Sequence, residues 1–209
     1  DGYNYRLSFS NLENKDIFPE STIGRKSFAI NALAKINPKL TSTINAKYVI
    51  EKTHNRINIG DTPGNANATA YRLPSSLNIY DLKPGSNDEG TELLFQPSQF
   101  NTNPYWVVND FNNDDKRNRL TASTTLRYDI TDWLYATGRA GYDTYDLSRR
   151  RVTPYGTAYR PAGEFSQSKS TYSSFDADFM LGVEKAITDK ISTNTIVGAN
   201  TRSNTFESL

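Results

Sequence analysis

The sequence predicts an all-β fold, an antiparallel transmembrane β-barrel wall of about seven strands. Three observations predict it. Apolar and polar residues alternate over runs of about ten residues, with little helical periodicity. Tight turns alternate strictly with long polar connections. Tyrosine and phenylalanine number 13 and 10 in 209 residues, far too many for a solvated tail.

Bulk composition points elsewhere at first. The apolar fraction is 36% and mean hydropathy is −0.67, values of a soluble protein. Barrel strands are apolar on one face only, so their mean stays low. No stretch approaches the ~18 apolar residues of a membrane helix. Cysteine is absent, which excludes disulfides and thiolate zinc sites. A net charge of +1 offers no footprint for nucleic acid, and none is expected as a partner. Asp1-Gly2-Tyr3-Asn4-Tyr5 opens directly into alternation without a visible signal peptide, and Phe206-Glu207-Ser208-Leu209 carries no stop signal. An internal fragment of a longer chain is expected.

Taken in order, a weak strand runs near Tyr5–Leu12, and Phe28, Ile30, Ala32, Ala34 and Ile36 form the apolar face of the next. Leu40, Ser42, Ile44, Ala46, Tyr48 and Ile50 oppose Thr41, Thr43, Asn45 and Lys47. Leu120, Ala122, Leu126, Tyr128 and Ile130 oppose Thr121, Ser123, Thr125, Arg127 and Asp129. Leu134, Ala136, Ala140 and Tyr142 oppose Thr137, Arg139 and Asp143. Phe175, Ala177, Phe179, Leu181 and Val183 oppose Asp176, Asp178 and Glu184, and a weak strand closes the chain at Ile191–Arg202. Each is about 10 residues long, enough to cross a bilayer at a tilt.

Three turns share a pattern: Ile36-Asn37-Pro38-Lys39-Leu40, Ile130-Thr131-Asp132-Trp133-Leu134 and Ile187-Thr188-Asp189-Lys190-Ile191. Pro presets φ and Asp bonds its own backbone, so both suit tight turns. Between them lie polar connections at 54–117 and 146–171, and a shorter one near 12–25. This sidedness is that of short turns at one barrel end and long loops at the other. Tyr48 and Tyr142 each sit eight residues past the Leu that closes a turn. That is on the order of 20 Å along a membrane normal, so both are expected at the outer interface. Tyr128 and Trp133 are expected at the inner one. A soluble β-sandwich also alternates, but a loop of about 60 residues is improbable inside one.

Several segments resemble the SusC/RagA family of TonB-linked outer-membrane transporters of Bacteroidetes. They are Asn4-Tyr5-Arg6-Leu7-Ser8-Phe9-Ser10, Asp61-Thr62-Pro63-Gly64-Asn65, Asn103-Pro104-Tyr105-Trp106, Gly138-Arg139-Ala140-Gly141-Tyr142-Asp143, Thr153-Pro154-Tyr155-Gly156-Thr157-Ala158-Tyr159 and Ala177-Asp178-Phe179-Met180-Leu181-Gly182, together with the Ile130–Leu134 turn. The pieces are short, and their order along nearly all of the chain carries the weight. The resemblance implies a plugged barrel of about 22 strands. Residues 1–209 are then a portion of that barrel, and the plug and its TonB-contacting segment lie outside them. It also implies a SusD-type lipoprotein lid, oligosaccharide or peptide substrates, and residence in the bacterial outer membrane among lipids and lipopolysaccharide. No cofactor and no metal is implied.

Candidate sites divide into wall and loops. Arg127, Asp129, Arg139, Asp143, Asp176, Asp178 and Glu184 are expected to face the lumen, where mixed signs suit ion pairs between strands. Tyr71, Tyr80, Tyr105, Trp106, Phe111, Tyr155 and Tyr159 are the loop aromatics available for substrate or lid contact; packing of the loops is their ordinary alternative. Asp176 and Asp178 share a face about 7 Å apart, a spacing a glycosidase pair can use, but a polar wall explains them as well. Asp110-Phe111-Asn112-Asn113-Asp114-Asp115 is rich in oxygen ligands yet lacks the Gly and Glu of a calcium loop, and a solvated loop is the simpler reading. Arg149-Arg150-Arg151 sits at a strand–loop junction and suits lipopolysaccharide phosphates or plain solvent. His54 is the lone histidine, so no catalytic constellation assembles and an enzyme is not expected. A siderophore or haem receptor and a structural or adhesive barrel remain the rival readings.

Overall fold

Backbone pairing carries the alternation into a single sheet. The computed structural model describes residues 2–209. Seven strands follow in chain order: β1 (Tyr3–Lys15), β2 (Thr22–Asn37), β3 (Leu40–His54), β4 (Asn112–Asp129), β5 (Leu134–Thr153), β6 (Glu164–Thr188) and β7 (Ile191–Ser208). Each pairs antiparallel with the next, and the sheet is not closed.

The register fixes two faces. Ile30, Ala46, Ala122, Tyr142 and Phe175 form one cross-strand row, with Phe28, Tyr48 and Leu120 in the row beside it. On the opposite face Asn45, Ser123, Gly141, Asp176 and Arg202 lie side by side. The apolar face is exposed: Phe9 is 62% accessible and Phe179 54%. It is also bounded. Above Ile50 the same face carries Lys52, Lys116, Ser148 and Lys169 in one row. From Ile130 to Leu120 the apolar band rises about 25 Å at a tilt of ~40°, the height of a bilayer's hydrocarbon core.

The strands are longer than the alternation suggests, running from 13 to 25 residues rather than about ten. Residues 112–119, 144–153 and 164–174 continue the ladder with mostly polar side chains on both faces, and the few apolar ones (Leu147, Val152, Phe165) set no regular period. All three expected connections shrink accordingly, those at 12–25 and 54–117 to 16–21 and 55–111. The segment read as 146–171 is a loop only over 154–163, and Arg149-Arg150-Arg151 lies inside β5. There the arginines alternate: Arg149 reaches Asp115 at 3.7 Å, while Arg150 sits 6.0 Å from the Phe165 ring on the other face. The run 110–115 is likewise no solvated loop, because Asn112 opens β4 and Asp114 and Asp115 already hold His54, Arg56 and Arg149.

The tight turns gain their closing acceptor from a residue other than the Pro or Asp. In each, the polar residue after Ile supplies the acceptor. Asn37 Oδ1 receives the N–H groups of Lys39 and Leu40, both at 2.9 Å. Thr131 Oγ1 receives that of Leu134 at 3.0 Å, and Thr188 Oγ1 that of Lys190 at 3.3 Å. These are side-chain-closed turns, for which Asn and Thr are suited.

The polar face is laced across every strand junction from β2 to β7. Glu51 joins Arg25 of β2 at 2.6 Å and Arg117 of β4 at 3.0 Å. Arg119 pairs with Asp143, Arg139 with Asp178, and Asp176 with Arg202. Each pair has at least one solvent-exposed partner and is weakened by screening, so these pairs tune register more than they hold the sheet. Glycines receive neighbouring side chains on this face: Tyr135 lies over its cross-strand partner Gly182, and Met180 over Gly198. Arg127 in turn stacks on the Tyr135 ring at 3.9 Å.

A Gly182→Ala substitution puts a methyl where the Tyr135 ring sits. It is expected to destabilise the sheet by about 1–3 kcal/mol, as overpacking does. In a Tyr135→Ala background the same change is expected to cost much less. A double-mutant cycle on denaturant midpoints measures the coupling.

Candidate functional site

At the end away from the tight turns, the 55–111 connection folds into its own unit. Asn65 caps helix α1 (Ala66–Tyr71) and Asn103 caps helix α2 (Pro104–Asp110), which begins on a proline suited to the first helical position. Asn78 caps a short 3-10 turn at Ile79–Leu82. Phe18, Ala66 and Val107 form a small core, with Ile57, Val108 and Phe111 packed around it. Gly64, at φ +82°, lies beneath the Phe111 ring and the Tyr159 hydroxyl, where a side chain has no room.

Buried polar residues lock this unit to the 154–163 loop. Glu92 is 4% exposed. One of its oxygens accepts the Asn103 N–H at 2.7 Å and the other the Ala158 N–H at 2.8 Å. Asn103 donates to the carbonyls of Leu82 and Leu93, both at 3.0 Å. Trp106 Nε1 donates to Thr157 Oγ1 at 2.9 Å, and Thr157 donates onward to the Pro154 carbonyl at 2.8 Å. Burial outweighs the two backbone hydrogen bonds and holds the Glu92 carboxyl above its ordinary range. Nothing in Thr91-Glu92-Leu93-Leu94 marks Glu92 in the sequence, because its partners lie 11 and 66 residues away.

The loop aromatics separate into two groups. Trp106 is 4% exposed and holds the two loops together, so it offers no contact surface, while Phe111 packs on the small core and keeps part of its ring on the cleft described below. Tyr159 is half-buried under the same cover, and burial raises its hydroxyl. Tyr71, Tyr80 and Tyr155 are 92%, 66% and 76% exposed. Tyr105 is partly covered, and Lys83 Nζ lies 5.2 Å from the Tyr80 ring and 5.3 Å from that of Tyr105. All seven wall residues (Arg127, Asp129, Arg139, Asp143, Asp176, Asp178 and Glu184) fall on the polar face. Where that face meets the loops, a cleft of about 500 Å³ is lined by Phe100, Phe111, Arg151, Tyr159, Arg160 and Glu164. Aromatic faces beside an arginine and a carboxylate can hold a polar, ring-bearing ligand. Among the described residues, no group of three or more His, Asp or Glu converges as a metal site.

Glu92→Ala is expected to unlatch the 154–163 loop while leaving the sheet intact. The Ala158 and Asn103 amides lose a buried acceptor worth about 1–3 kcal/mol, so their hydrogen exchange is expected to quicken by about tenfold or more. Exchange of the β4–β5 ladder amides is expected not to change.

No family model matches the chain, and no curated protein matches it in sequence. Solved structures do match its fold. The RagAB peptide importer in its closed-closed state matches 97% of the chain at a TM-score of 0.65 and 15% identity. BauA, the ferric preacinetobactin receptor of Acinetobacter baumannii, matches 99% at 0.61 and 10% identity. The ferric-catecholate import receptor Fiu of E. coli K12 matches 99% at 0.57 and 12% identity. The chain spans only 24%, 26% and 30% of those three chains. It has the fold of a seven-stranded section of the barrel wall of TonB-dependent receptors.

Proposed function

We propose that this chain is part of the wall and outer loops of a TonB-energised importer in a bacterial outer membrane, of the SusC/RagA type, and not an enzyme. The observation that carries this reading is the sidedness of the sheet. An apolar band of bilayer height runs across one face, tight turns close one end, and a buried latch organises the loops at the other. The likeness to the RagAB importer supports it, as does the ordered series of SusC/RagA-like segments.

On this reading residues 1–209 belong to the barrel, and a plug elsewhere in the protein engages TonB. The polar face lines the lumen. Substrate, an oligosaccharide or peptide, enters from the loop side under a SusD-type lipoprotein. Tyr71, Tyr80 and Tyr155 are the rings free to meet substrate or lid, and Tyr105 is partly so. The latch through Glu92 gives them a rigid base, which lowers the ordering cost of each contact. A second reading, a siderophore receptor without a lid, is favoured by the fold likeness to BauA and Fiu.

Uptake distinguishes these. Cells carrying the protein are expected to accumulate labelled oligosaccharide or peptide only while TonB is present. Replacing Tyr71, Tyr80 and Tyr155 together by alanine is expected to raise the half-saturating concentration about tenfold, as loss of one aromatic anchor does. Accumulation of a ferric siderophore instead establishes the second reading. Uptake that ignores TonB contradicts both.

A further inference from the structure

We propose that the apolar face carries a site for an anionic membrane lipid, with its phosphate in a basic recess around Lys52 and Lys116 and its acyl chain in a groove below. The site rests on the reading of this sheet as membrane-spanning. The groove measures about 600 Å³ and is lined by Leu7, Phe9, Phe28, Ile30, Tyr48 and Leu120. Phe9 and Phe28 pack with ring centroids 5.0 Å apart, giving it an aromatic wall. On the same face, toward the loops, lies a recess of about 830 Å³ lined by Lys15, Lys52, Lys116, Arg149 and Arg150 together with His54, Glu13, Asp114 and Asp115. Lys52 is four residues beyond Tyr48, about 13 Å along the strand. A headgroup phosphate and the upper part of its own acyl chain are separated by a similar span.

Two of the charges in the recess, Lys52 and Lys116, lack a protein partner among the described residues. Lys52 and Lys116 are directly opposed across β3 and β4. Like charges in that position destabilise a sheet. Among the described residues neither forms an ion pair, nor do Lys15 and Arg150. Of the nearby carboxylates, Asp114, Asp115 and Asp146 are engaged by other groups, while Glu13 lines the recess and accepts only from Asn11 at 3.4 Å. Asp114 lies 2.7 Å from His54 Nδ1 and accepts the Asn55 N–H at 3.2 Å. Asp146 accepts from Thr171 at 2.7 Å. Glu13 lies beyond Gly24 in the row from Lys52, where the missing side chain leaves open space. One phosphate set between two opposed ammonium groups receives charge-assisted hydrogen bonds from both and removes their repulsion. A free phosphate accounts for the lysines but not for the groove that continues from them; a lipid accounts for both.

The test uses the whole protein in nonionic detergent, titrated with dimyristoylphosphatidylglycerol, dimyristoylphosphatidylcholine or inorganic phosphate, with retained ligand counted by native mass spectrometry. The anionic lipid is expected to be retained in preference to the zwitterionic one. In the K52Q/K116Q variant that preference is expected to fall by about 25-fold, roughly fivefold for each cation at a membrane surface. K52R/K116R is expected to keep it. Phe28→Ser is expected to weaken both lipids alike. Retention of inorganic phosphate as tightly as of the lipid overturns the groove's part in the site. A protein that runs as a folded, heat-modifiable barrel but shows no preference, or one untouched by K52Q/K116Q, overturns the site while leaving the membrane reading standing. A protein that fails to partition with membranes overturns both.

Discussion

Everything in this molecule depends on the antiparallel register of one sheet. A chain crossing lipid must pair its backbone N–H and C=O groups within protein, because hydrocarbon offers no partner. Seven strands paired neighbour to neighbour meet that demand except at the two outer edges of β1 and β7. The same register decides which side chains meet. A slip of one residue in β4 sends Leu120, Ala122 and Leu126 to the face of Arg119 and Arg127. It also parts Arg119 from Asp143 and Glu51 from Arg117. Apolar band and ion-pair lacing are therefore two consequences of one alignment, and each opposes the slip that breaks the other.

Seen this way, the glycines and turns are register devices too. Gly182 accepts the Tyr135 ring and Gly198 the Met180 side chain, so bulk on one strand is answered by its absence on the next. Asn37, Thr131 and Thr188 close the three tight turns from equivalent positions and set where each hairpin begins. At the other end, a buried carboxylate tying two loops by their backbone amides does for the loops what register does for the wall.

The sequence showed the parts of this design that have a period. The Leu40–Ile50 and Leu134–Tyr142 faces, the three matched turns and the sidedness of the connections were all legible, because one-faced apolar alternation and turn chemistry leave local marks. The upper strands were not. Where polar side chains dominate both faces, as at 112–119 and 164–174, pairing persists but hydrophobic alternation does not. Pro38, Asp132 and Asp189 stand out as turn residues in the sequence, yet the closing acceptor comes from the preceding Asn or Thr. The latch was invisible for another reason: Glu92, Asn103, Trp106 and Thr157 are ordinary residues made important by contacts across loops. Those same contacts bury Trp106, which in the sequence looked as available for recognition as Tyr71.

The central claim is that this sheet meets lipid on one face only, over the apolar band and no further. Spin labels placed singly along β4 from Lys116 to Tyr128, with the protein in lipid bilayers, test it most directly. Accessibility to oxygen and to a water-soluble nickel complex is expected to alternate residue by residue from Leu120 to Tyr128, the even positions favouring oxygen. That contrast is expected to vanish at Lys116 and Asn118, where both faces meet water. Equal access to the nickel complex at Ala122 and Ser123 contradicts the account.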